Sequence, residues 1–69
     1  MKYTAVIERG ESGWGAYVPD LPGCVAVGPT RESVETKIRE AIGLHVGSLR
    51  EHGESVPRPS AVAVTIDAA

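Results

Sequence analysis

The stretch PTRESVETKIREAIGLHVGSLREHG is the one part of this 69-residue chain with a helical period, and that constrains the fold more than any other feature. Thr30 is placed to cap the helix N-terminus, Glu32 sits near the positive end of the helix dipole, and Gly53 supplies the C′ residue. Val34, Ile38, Ala41, Ile42, His45 and Leu49 fall within one arc of the helical wheel, a core-facing stripe. Leu44 and Val46 flank it. A helix of about 22 residues covers one face of a small sheet and no more.

The rest of the chain reads as sheet. KYTAVIER (Lys2 to Arg9) is rich in β-branched and aromatic residues and ends in the turn GESG; WGAYV (Trp14 to Val18) follows at hairpin distance, and CVAVG (Cys24 to Gly28) comes after the loop PDLPG. These three runs predict an antiparallel meander. After the helix, ESVPRPS is extended because its two prolines break the helix. AVAVTI (Ala61 to Ile66) alternates like a fourth strand, and DAA frays. The predicted fold is α+β in the order β-β-β-α-β, a single domain over residues 1–69.

Alternation sends Val62, Val64 and Ile66 to one side of the last strand and Ala61, Ala63 and Thr65 to the other, while Val25 and Val27 oppose Cys24 and Ala26. Both faces of the sheet are therefore largely apolar. With only one helix to cover them, the second face needs a partner or another copy of the chain. A domain this short buries only about 60% of the surface its unfolded chain exposes. One cysteine excludes an internal disulfide, so association is the remaining route to stability.

Seven basic residues against nine acidic give a net charge of −2. A nucleic-acid binder needs a cationic footprint, so direct nucleic-acid binding is not expected. The N-terminus lacks the apolar core of a signal peptide, and no run approaches the roughly 20 apolar residues of a membrane span. The sequence predicts a soluble, cytoplasmic protein.

Little in the chain points to catalysis. Cys24 with His45 or His52 has the residue types of a thiol nucleophile and its base, but a free Cys opening a strand is more often a buried apolar residue. The two histidines stand roughly 10 Å apart along the helix axis, too far to share a metal ion. Glu32, Glu35, Glu40 and Glu51 alternate with Arg31, Lys37, Arg39 and Arg50 as a solvated charged face, with Glu35 and Arg39 in the favourable i,i+4 order. GESG resembles a GxxG phosphate clamp, but it joins two strands and carries a glutamate. No cofactor and no metal site are expected. Gly43 and Gly47, on the side opposite the core stripe, either are simply tolerated or let another backbone approach.

In PDLPGC, Pro19 and Pro22 fix φ, Asp20 has the chemistry of an Asx turn, and Gly23 supplies conformational freedom for re-entry into a strand. The loop either presents Leu21 outward as a contact or folds it back onto the core.

WGAYVPDLPGCVAVGPTRESV, followed by IREAIGLHVGSLREHGESVPRPS, resembles the HicB-like antitoxin domain of type II toxin–antitoxin systems. The likeness runs from about Tyr3 to Ser60 and rests on PDLPGC and HGESVPRPS at this separation. It implies a reduced RNase H-like fold without a full set of catalytic acids. The partner it implies is a HicA-like toxin, a small basic RNA-cleaving protein whose RNA-binding and active surface the antitoxin covers. The acidic balance of the chain suits a basic partner. Pro29 stands where the family usually has an acid, Ser33 where a second Glu is common, which weakens capping, and Gly43 and Gly47 replace polar helix formers. Many relatives carry a C-terminal DNA-binding domain; none is expected here.

The chain is therefore expected to be a non-enzymatic, self-associating antitoxin, with Trp14, Tyr17, Asp20, Leu21 and Pro22 as partner contacts. The alternatives are an orphan regulator that binds a protein or small ligand, and a relic metal-dependent ribonuclease using Glu8, Asp20 and a helix glutamate.

Overall fold

A computed structural model describes residues 1–69. Three short strands form an antiparallel sheet in the order β1-β2-β3, with β1 at Val6–Arg9, β2 at Trp14–Tyr17 and β3 at Val25–Gly28. The register sets Val6 opposite Tyr17 and Tyr17 opposite Val25, so these three share a face, and on the same face Gly15 lies between Glu8 and Val27. Ile7, Ala16 and Ala26 make the corresponding row on the other face.

Helix α1, Arg31–Glu51, covers that second face. It lies over β3 and β2 and barely reaches β1. Val34, Ile38 and Val46 pack with Ala16, Val18, Leu21 and Cys24 to form the core. The expected stripe is thus right at Val34 and Ile38, whereas His45 and Leu49 are only half-buried and Val46 takes the inner place. Leu44 is exposed.

Both helix ends are closed by local chemistry. The N–H of Ser33 donates to Thr30 Oγ1 at 3.1 Å and the N–H of Thr30 reaches Ser33 Oγ at 3.5 Å. Ser33 therefore completes a capping box instead of weakening it, because its short hydroxyl does the work of the usual Glu. At the other end Gly53 takes φ 67°, its N–H donates to the carbonyl of Arg50, and the N–H of Glu54 donates to that of Leu49. This pair of bonds is the Schellman pattern.

Two expectations are overturned. Ala61–Ile66 is not a strand: residues 55–69 make no hydrogen bond between backbone groups. The segment alternates like a strand, but its backbone is held by side chains, Tyr3, Thr4 and Asp20, and not by a neighbouring strand. Leu21 is not presented outward either; it is fully buried. The reason lies in two consecutive turns. The N–H of Leu21 donates to the carbonyl of Val18 at 3.0 Å, and that of Cys24 donates to the carbonyl of Leu21 at 3.0 Å. Each turn has proline at its second position, and Gly23, with φ 84°, takes the left-handed third position of the second turn, the type II pattern. Leu21 is the residue both turns share, and it closes the core beneath them.

Candidate functional site

The β2–β3 loop is tied to the far end of the chain by Asp20. Its Oδ2 accepts the backbone N–H of Ser60 at 2.9 Å and that of Ala61 at 3.0 Å, and its Oδ1 accepts the Ser60 hydroxyl at 2.8 Å. The N–H of Ala61, then the N–H and hydroxyl of Ser60, hold the Asp20 carboxyl below its usual range. Two more side chains grip the same segment. The Tyr3 hydroxyl donates to the carbonyl of Pro57 at 2.6 Å, and the Thr4 hydroxyl to that of Ala61 at 3.1 Å.

Beyond Ala61 the chain is free. Val62, Val64 and Ile66 are 82%, 72% and 80% exposed. On the uncovered sheet face Val25 and Val27 are 63% and 73% exposed, with Tyr17 beside them. Gly15 leaves a hollow of about 300 Å³ in that face, bordered by Glu8, Tyr17, Val25 and Val27. This is the second apolar face expected from the alternation. The outer edge of β3 is blunted by Lys37, whose Nζ donates to the carbonyl of Val27 at 3.1 Å.

The five candidate contacts do not form one surface. Tyr17 lies on the open face. Trp14 lies on the helix side, half-buried, with the Arg9 guanidinium 5.9 Å from its ring centroid, within cation–π range. It also borders a wide hollow of about 540 Å³ between the Gly10–Gly13 turn, Pro29 and Lys37. Pro22 is exposed at the loop tip. Leu21 is core, and Asp20 is a structural anchor. The anchor was missed although a signal existed: Pro57 and Pro59 have no N–H, so Ser60 and Ala61 offer the first adjacent pair of donors after them, to which a lone loop carboxylate is the natural acceptor.

Cys24 and His45 border a common shallow hollow. Cys24 is buried, and that burial pushes its thiol up, away from the thiolate that nucleophilic chemistry requires. No three His, Cys, Asp or Glu side chains come together as a metal-binding group, and the Asp20 oxygens that a relic nuclease would use are taken up by Ser60 and Ala61. No helix is long and apolar enough to cross a membrane.

Fold and surface together define a small α+β domain with one covered and one open sheet face. A family model described as "HicB_like antitoxin of bacterial toxin-antitoxin system" matches residues 3–69, and the chain belongs to this HicB-like family. It is 41% identical over 69 residues to a UPF0150 protein of Thermoplasma acidophilum, covering 99% of this chain and 100% of that protein. A UPF0150 protein of Helicobacter pylori is 47% identical over 49 residues, 71% of this chain and 68% of that protein. A 14.9 kDa protein from the rep-hol intergenic region of Haemophilus phage HP1 is 32% identical over 62 residues, 90% of this chain but 47% of that protein. Membership supports an antitoxin role, and with it a toxin partner.

Proposed function

We propose that the chain is a cytoplasmic antitoxin that binds a HicA-like, RNA-cleaving toxin and inhibits it by covering its RNA-binding and active surface, itself carrying out no catalysis. The observation that carries this reading is the family match across residues 3–69. The net charge supports it. Glu32, Glu35, Glu40 and Glu51 are all exposed along α1, and among them only Glu35 is held in an ion pair, with Arg39 at 3.4 Å. These four alternate along α1 with Arg31, Lys37, Arg39 and Arg50, so the helix is balanced in charge, and it is the net −2 of the whole chain that suits a basic partner.

Trp14 and Pro22 are the toxin contacts in this reading, Tyr17 serves self-association, and Asp20 and Leu21 act through the fold. The test is co-expression with a small basic toxin of the HicA-like kind, taken from the gene next to this one where that gene encodes such a protein. Restored growth and co-purification are expected, with co-purification weakened by Glu40→Lys; a neighbour whose toxicity the chain leaves untouched, and which it does not bind, overturns the reading.

A further inference from the structure

The exposed arm and the open sheet face belong to the same chain and complement each other. From Ala61 to Ile66 the arm carries no charge, and every second residue is a large β-branched one. The open face offers Val25, Val27 and Tyr17 around the hollow over Gly15. We propose that the arm of one copy packs Val62, Val64 and Ile66 onto the open face of a second copy, and that the second copy does the same in return.

The arm is held away from its own open face. Asp20 and Thr4 fix both the N–H and the carbonyl of Ala61, which sets the direction in which the chain leaves. No Gly, Pro, Asn or Asp lies between Ser60 and Asp67, and a run of β-branched residues resists reversal. The arm therefore stays extended, and six extended residues reach about 20 Å. The edge of β3 is closed to it by Lys37. The open face of another molecule offers the arm's apolar side chains a seat of matching chemistry.

A second copy suits the surface better than a basic partner does. Acidic residues would be needed to attract a basic protein, and the arm has none before Asp67 while the hollow has only Glu8. Reciprocal exchange also makes a closed two-fold contact, in which both arms are used once and both faces are covered once. A standard interface buries about 800 Å² on each partner, roughly a seventh of the 5381 Å² this chain exposes. The exposed Val62, Val64 and Ile66 of each arm and Val25, Val27 and Tyr17 of each face are the apolar surface available to such a contact.

The test uses the purified 69-residue chain alone, so its failure leaves the antitoxin reading standing. Sedimentation velocity at about 10 μM should give a dimer or a multiple of it. Val64→Asp with Ile66→Asp should return the monomer mass while circular dichroism shows the helix intact. Copies carrying Val27→Cys, mixed with copies carrying Val64→Cys, should form a 27-to-64 disulfide on oxidation. Native Cys24 is buried and does not compete. A wild-type monomer at 100 μM overturns the proposal, as does an unchanged mass for the double variant or a cross-link found only between two copies of position 64.

Discussion

The carboxylate of Asp20 holds the backbone N–H of Ala61 at 3.0 Å across 41 residues of sequence, and so joins the loop between β2 and β3 to the root of the C-terminal arm. Because these bonds are made to the ionised form, the folded carboxyl titrates below its unfolded value of about 3.9. The sign follows: the anchor's contribution is fully present above the unfolded value and is lost as pH falls through the folded one. The anchor's contribution should therefore begin to fall below about pH 4, and the amides of Ser60 and Ala61 should be released only as pH drops further, through the lowered value of the folded carboxyl. Amide hydrogen exchange at these two positions checks it. Asp20→Ala should show fast exchange already at neutral pH, with the helix amides still protected.

Leu21 is the residue on which the loop closes the core. Leu→Ala at fully buried sites costs about 2–5 kcal/mol, while a core in a domain below 70–80 residues rarely supplies more than about 3–5 kcal/mol. Leu21→Ala should leave the chain largely unfolded at 25 °C, seen as lost helical circular dichroism. Pro22→Ala, at the exposed tip of the same loop, should keep the fold.

Much of this was legible in the sequence because the signals were local. Thr30, Gly53 and the apolar period specify α1 within one turn of chain, and the two turns of PDLPGC follow from proline and glycine positions. What escaped depended on distant partners. The two turns bring Leu21 inward, but the core that receives it includes Val34 and Ile38, which lie on the helix and outside the loop's own chemistry. The Asp20 anchor needed donors supplied by Ser60 and Ala61. The alternation of Ala61–Ile66 is a real pattern, but a strand exists only where another strand pairs with it, and the backbone here is held by the side chains of Asp20 and Thr4. Val46 is buried where the wheel favoured Leu49, on a helix that packs chiefly on β3 and β2.

Gly43 and Gly47 provide a separate test of the helix surface. A Cβ at either position meets nothing within 4 Å, and glycine inside a helix is less favourable than alanine by about 0.8–1.0 kcal/mol. Gly43→Ala and Gly47→Ala should each stabilise the chain by about 1 kcal/mol in urea unfolding. If toxin binding falls while stability rises, this side of α1 is used by the partner's backbone.

Cys24 reports on how often the core opens. Its side chain is buried just before β3, and burial pushes the thiol up, so both access and ionisation oppose reaction. A thiol reagent can then reach it only through an opening that exposes the Leu21 corner, costing close to the full stability of the domain. With about 3–5 kcal/mol of stability in a core of this size, labelling in buffer should be slower than in urea by about two to four orders of magnitude. Association should slow it further as protein concentration rises, because a dimer must part before its core opens. A labelling rate close to that in urea would place the loop outside the cooperative core.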